Sequence, residues 1–199
     1  CEPTVCPRGT VLIVHGIYSD TGSMLGNAMD LSEAGYRCVL VDLRGHGQSS
    51  GRWLTFGLRE SRDLSQVIDE LAARRIWTGK LGVLGISYGA TTSIHLAGRD
   101  PRVSAVVAIA PFNSMREEVP HFAHEVIPFS RRLMAEETVQ EAIDRAAAKG
   151  GYNPDLSVAG MAIQQTQAPV LILQGTSDKV VPPRNARELA WAGAGHTRL

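Results

Sequence analysis

The sequence predicts a doubly wound, mainly parallel α/β sheet, and three observations carry that prediction. Five short apolar runs recur along the chain: Thr10 to His15, Tyr36 to Asp42, Leu81 to Ile86, Val103 to Ala110 and Pro169 to Gln174. Each is continuous in Val, Ile and Leu rather than alternating with polar residues, which is the pattern of strands covered on both faces. Helix-like segments separate the runs, and that alternation builds a sheet with helices on each side.

The helices follow from spacing and charge. They are expected over about Gly26 to Glu33, Leu58 to Arg74, Tyr88 to Arg99 and Pro183 to Trp191. In the second, Leu58, Leu64, Val67, Ile68 and Leu71 keep helical spacing, and Glu60 and Asp63 sit near the N-terminus, where the macrodipole favours negative charge. Phe112 to Gln167 breaks the rhythm. It is polar and helix-rich, with Glu136 to Lys149 reading as an amphipathic helix, and it is too short to own a large core. The 199 residues are therefore expected to form a single domain with a helical lid inserted at about 112–167.

Composition narrows the function classes. With 44% hydrophobic residues, 20% charged residues and zero formal net charge, the chain is an ordinary globular domain. Nothing in it suggests an electrostatic footprint for nucleic acid or acidic membranes. No apolar run approaches the length of a membrane span. Three cysteines are too few for a disulfide framework. Cys38 reads as a reduced core residue, whereas Cys1 and Cys6 are either bridged in an oxidising compartment or free. The chain shows no signal peptide and no initiating methionine. An N-terminal cysteine is a lipid attachment point in some bacterial proteins, but a trimmed chain or fragment is the favoured expectation, and the cytoplasm is slightly favoured over other compartments.

Chemistry enters at Gly85-Ile86-Ser87-Tyr88-Gly89. This Gly-x-Ser-x-Gly stretch lies between an expected strand and an expected helix, the context of a nucleophile elbow, where a sharp turn presents the serine hydroxyl at the top of a sheet. An exposed serine on a strained turn suits attack on a carbonyl, so Ser87 is the candidate nucleophile of an acyl-transferring hydrolase. After the first run comes His15-Gly16-Ile17-Tyr18. The amides of Ile17 and Tyr88 are the candidate oxyanion donors, against the plainer reading that Gly16 merely permits a turn. After the fifth run, Asp178 is the candidate acid that orients an imidazole, against a plain turn aspartate. The glycine-punctuated loop Asp42 to Ser49 reads as structural, with His46 shaping backbone and Asp42 and Arg44 pinning the turn.

Taken together these stretches resemble the α/β-hydrolase superfamily over nearly the whole chain. The matching residues are Val14-His15-Gly16, Asp42-x-Arg44-Gly45-x-Gly47-x-Ser49, Gly85-x-Ser87-x-Gly89 and Gly175-x-x-Asp178-x-Val180-Val181-Pro182. Gly51 and Thr55-x-Gly57-x-x-Glu60-x-x-Asp63-Leu64 further resemble the bacterial esterase and acyl-peptidase-like branch. The resemblance implies Ser87 as nucleophile, Asp178 as acid, the Ile17 and Tyr88 amides as oxyanion hole, and no cofactor.

The histidine departs from the family pattern. Only His196 follows Asp178, eighteen positions later. A nine-residue helix over Pro183 to Trp191 carries the chain roughly 13 Å back down the sheet, which puts His196 near the amino ends of the strands. Two expectations follow. Either the catalytic histidine lies beyond Leu199, with Thr197 to Leu199 starting a last strand, or the tail folds differently and His196 completes Ser87 and Asp178. His95 is expected to pack or face solvent within its helix. His121 and His124 have a metal-ligand spacing but no third ligand, so no metal is expected.

Three functions fit these residues. The first is a serine hydrolase that cleaves a small-molecule acyl ester, or an amide, through an acyl-enzyme on Ser87. The second is a non-catalytic or truncated member that binds a small apolar ligand or a protein. The third is acyl transfer to an acceptor other than water. An aspartate-nucleophile dehalogenase is disfavoured by the serine at position 87.

Overall fold

In the computed structural model, residues 1, 6–77, 79–127, 129 and 135–199 are described. A single parallel sheet organises them. Its strands are β1 (Gly9–Val14), β2 (Arg37–Val41), β3 (Lys80–Ile86), β4 (Val103–Ile109), β5 (Val170–Leu173) and β6 (Thr197–Arg198), in the spatial order β2-β1-β3-β4-β5-β6. The five apolar runs are the first five strands, with bounds that differ by at most one residue at either end. The sixth is short and pairs with the amino end of β5, Val170 opposite Thr197.

Helices cover the faces: α1 (Leu25–Glu33), α2 (Glu60–Ala73), α3 (Tyr88–Arg99), α4 (Met115–Val126), α5 (Glu136–Gly150), α6 (Ala159–Ile163) and α7 (Pro183–Ala192). On α2 the buried positions Leu64, Ile68 and Leu71 form one stripe, as the spacing predicts. That helix starts later than Leu58 because Glu60 turns back on the preceding loop, accepting from the amides of Thr55 and Gly57 and from the Thr55 hydroxyl. α3 is buried from Tyr88 through Ala97, which is why its sequence lacks a polar stripe. Its far end packs on α6, where a side chain at Gly98 would collide with the Ala162 carbonyl.

The main core joins Leu12, Val14, Leu81, Val83, Val106 and Ile172 of the sheet to Leu64, Ile68, Ile94 and Leu189 of the helices. Between β4 and β5, the segment expected as an insertion supplies α4, α5 and α6. Met115, Val139 and Ile143 make a small core of their own there, packed against Phe56 and Tyr152. Residues 128 and 130–134 of that segment lie outside the described residues. Among the described residues no helix is long and apolar enough to cross a membrane.

This topology fixes where a site can form. The chain passes from β1 to β2 on one side, then returns to place β3 on the other. The carboxyl ends of β1 and β3 therefore flank the point where the winding direction reverses, and ligands of open α/β sheets bind in that crevice.

Candidate active site

Ser87 follows β3 at the switch point. Its backbone has φ 52° and ψ −114°, a region costly for any residue with a side chain and tolerated only where surroundings enforce it. The enforcement is visible. A Cβ at Gly85 would sit 2.3 Å from the Gly89 carbonyl oxygen, and one at Gly89 would sit 2.3 Å from that of Val14. Only glycine lets α3 come this close to β1 and β3. The Ser87 amide donates to the Ile109 carbonyl at 2.7 Å, which ties the turn to the neighbouring strand end. Other strained residues gather nearby: Tyr18, Phe56 and Ala110 also have positive φ.

β1 pairs with β3 so that Val14 stands opposite Gly85. The loop after β1 therefore runs beside Ser87, and a Cβ at Gly16 would lie 3.8 Å from that of Ser87. Ile17, Ser87 and Tyr88 line one cavity of about 110 Å³ with Tyr18, Phe56, Phe112, Glu118, Val119 and Phe122. Among the described residues nothing accepts a hydrogen bond from the amide of Ile17 or of Tyr88. Two unspent main-chain donors thus flank a half-buried serine at the sheet's carboxyl edge.

The loops around them are held by imidazoles. His15 is fully buried; its Nδ1 donates to the Gly16 carbonyl at 2.7 Å and its Nε2 accepts from the Leu43 amide at 3.0 Å. Burial, foremost, lowers its pKa, with His46 nearby adding to the effect. His46 uses Nδ1 to reach the Arg44 carbonyl at 3.0 Å and Nε2 to accept from the Tyr18 amide at 3.2 Å. It shapes backbone, as the sequence suggests. Asp42 pins the same loop, accepting from the amides of Thr21 and Gln48, which lower its pKa. Arg44 is fixed by a two-pronged pair with Asp63 at 2.7 Å. Behind the serine, Phe56 packs edge-on against Tyr88 and Phe112, with ring centroids 5.3 and 5.9 Å apart. The Tyr88 phenol is buried above the Glu60 carboxylate. Burial first and that charge second push its pKa well above the usual value.

Asp178 lies in the turn after β5, two strands from β3. One carboxylate oxygen accepts from the amides of Val180 (2.9 Å) and Val181 (3.0 Å), the other from the Gln174 side chain (3.2 Å). Two strand spacings are roughly 10 Å, room for an imidazole between Ser87 and Asp178. His196 does not fill it. Its carbonyl accepts from the amide of Val170, the first residue of β5, and its Nε2 bonds to the Ile163 carbonyl at 3.0 Å. That is the amino end of the strands, while Ser87 and Asp178 stand at the carboxyl end. The reading that His196 joins Ser87 and Asp178 is corrected on this geometry: α7 returns the chain to the far edge, as its length requires. Among the described residues no imidazole bridges Ser87 and Asp178.

Two features were not visible in the sequence. Glu118 lines the Ser87 cavity from α4, and His121, one turn on, hydrogen-bonds the Lys179 carbonyl at 2.7 Å, joining α4 to the Asp178 turn. Their spacing is ordinary for a helix, and only the docking of α4 onto the sheet edge reveals them. Among the described residues no group of three or more metal-ligating side chains is assembled. His95 is buried, and burial lowers its pKa to about 4.

Known proteins share this architecture. The chain is 25% identical over 182 residues to the Bacillus subtilis protein YqkD, covering 90% of this chain and 58% of that protein. It is 28% identical over 185 residues to Rv2307c of Mycobacterium tuberculosis, covering 92% of this chain and 57% of that protein. It thus spans little more than half the length of these relatives. An esterase of Pyrococcus furiosus superposes with a TM-score of 0.74 at 19% identity, over 96% of this chain and 70% of that one. A monoacylglycerol lipase of Paleococcus ferrophilus gives 0.68 at 23% identity, over 99% and 85%. At such identities these two structures establish the fold. The pattern of the family described as serine aminopeptidase, S33, matches residues 5–153. With the elbow, the parallel sheet and a match across most of its length, the chain belongs to that family of α/β-hydrolases.

Proposed function

We propose that this chain carries the catalytic core of a serine hydrolase that cleaves carboxylic esters. The observation that supports it most is the strained Ser87 sharing a cavity with Ile17 and Tyr88, whose amides have no acceptor among the described residues. In this reading the Ser87 oxygen attacks the acyl carbon, and the tetrahedral oxyanion faces those two amides. An imidazole takes the serine proton and returns it to the departing alcohol, while Asp178 fixes its tautomer. Water then resolves the acyl-serine by the same steps. α4 acts as a lid, since Glu118, Val119 and Phe122 close the cavity over the serine. The apolar lining, with Phe56, Phe112 and Phe122, suits an uncharged acyl chain.

His196 is excluded from the relay by its place in the fold, so added imidazole is the test. With imidazole in the buffer, hydrolysis of p-nitrophenyl acetate is expected to exceed that of Ser87→Ala by about a hundredfold or more, while His196→Ala matches the parent. Equal rates for parent and Ser87→Ala overturn the proposal. They would favour the second reading, a non-catalytic binding protein, whose support is that no imidazole among the described residues stands between Ser87 and Asp178.

A further inference from the structure

Among the described residues, Glu118 is the one carboxyl that lines the Ser87 cavity. The residue is 5% exposed, and among the described residues no hydrogen bond or ion pair reaches its carboxyl group. It shares the cavity with the apolar side chains of Ile17, Phe56, Phe112, Val119 and Phe122 and with Tyr18, Ser87 and Tyr88, whose hydroxyls make no hydrogen bond to it. A buried polar group without a partner is costly, and such groups in native proteins ordinarily have a ligand or a role that explains them. We infer that the Glu118 carboxyl is a specificity-determining group of this cavity, hydrogen-bonding an uncharged ether, ester or hydroxyl oxygen of the substrate that is distinct from the scissile carbonyl. The inference rests on the reading that the Ser87 cavity receives substrate, and it adds the chemistry that the cavity selects.

The protonation state agrees with that role. Burial foremost, and then the Asp178 carboxylate facing it from the turn after β5, raise the Glu118 pKa to about 8. Glu117 on the same helix works in the same direction, and Arg184 at the start of α7 opposes it. At neutral pH Glu118 is therefore mainly a carboxylic acid, one O–H donor in the lining of a largely apolar cavity. An alkyl chain leaves that donor unmet, and an oxygen at the right place meets it. As pH rises through about 8 the donor becomes a carboxylate, and the preference for an oxygen acceptor disappears.

The test uses binding, so that it does not depend on turnover. In the Ser87→Ala chain, two isosteric pairs are compared: methoxyacetic against butyric p-nitroanilide, and 2-methoxyethyl against butyl butanoate. At pH 6.5 the ether member of at least one pair is expected to bind about fivefold more tightly, the worth of one net hydrogen bond. That preference falls to near unity at pH 9.5. Adding Glu118→Gln keeps a donor of the same shape, so the preference persists at both pH values. Adding Glu118→Leu abolishes it at both. Ether and alkyl members binding within twofold of each other in both pairs at pH 6.5, a preference that survives Glu118→Leu, or no binding by any ligand overturns the inference. Covalent labelling of Ser87 in the unaltered chain judges the hydrolase reading separately, because it does not require Glu118 to recognise anything.

Discussion

Glu118 and His95 are buried without hydrogen-bond partners for their titrating atoms, and they tilt stability in opposite directions with pH. Glu118 has a folded pKa of about 8 against an ordinary 4.5. Its contribution is intact below pH 4.5 and is lost as pH rises through 8, because the unfolded chain sheds the proton first. His95 has a folded pKa of about 4 against 6.5. Its contribution is intact above pH 6.5 and is lost as pH falls toward 4, because the unfolded chain gains the proton first. Each shift corresponds to roughly 3 to 5 kcal/mol over its window. Stability is thus expected to peak at mildly acidic pH. Thermal melts from pH 4 to 9 should show Glu118→Gln flattening the alkaline fall and His95→Asn flattening the acid fall. Parallel curves for the parent and both variants would contradict this assignment. Neither burial was readable from composition: His95 left packing and solvent equally open, and Glu118 carried no motif.

Among elements, the loop after β1 and the loop after β2 act as one device. In the proposed mechanism the Ile17 amide meets the oxyanion only if the next peptide is held, and the His46 ring holds that peptide through the Tyr18 amide. His46→Ala should lower kcat for p-nitrophenyl esters about tenfold with KM changed less than twofold, a fraction of what losing a whole oxyanion donor costs. His46→Gln, which restores an acceptor, should recover part of that loss. A change confined to KM would point to a role in substrate binding. The motif that carries this device was legible, because glycines and an aspartate at such spacing describe a tight loop whatever surrounds it. The link from His46 to Tyr18 was not, since it spans 28 residues and exists only once β2 has paired with β1.

For the molecule as a whole, the parallel pairing order places the ends of β1, β3, β4 and β5 along one rim. The sequence disclosed this much because each strand is a continuous apolar run and each rim loop carries its own turn chemistry. Ser87 was legible for the same local reason: glycines at 85 and 89 have no other use than close approach. The position of His196 depends on how far α7 carries the chain, a matter of helix length, and the fold puts it at the opposite edge, against Ile163. The approach of α4 over the cavity depended on packing of the whole segment between β4 and β5, which no local pattern encodes. The proposed function therefore rests on one point above all others, that the hydroxyl at the switch point be reactive. Treating the folded chain with an alkyl fluorophosphonate in the presence of imidazole, then mapping the adduct by peptide mass spectrometry, measures that directly. The account predicts a single phosphonylated residue, Ser87, with no labelling of Ser87→Ala. A folded, unlabelled chain, or an adduct confined to another residue, would contradict it.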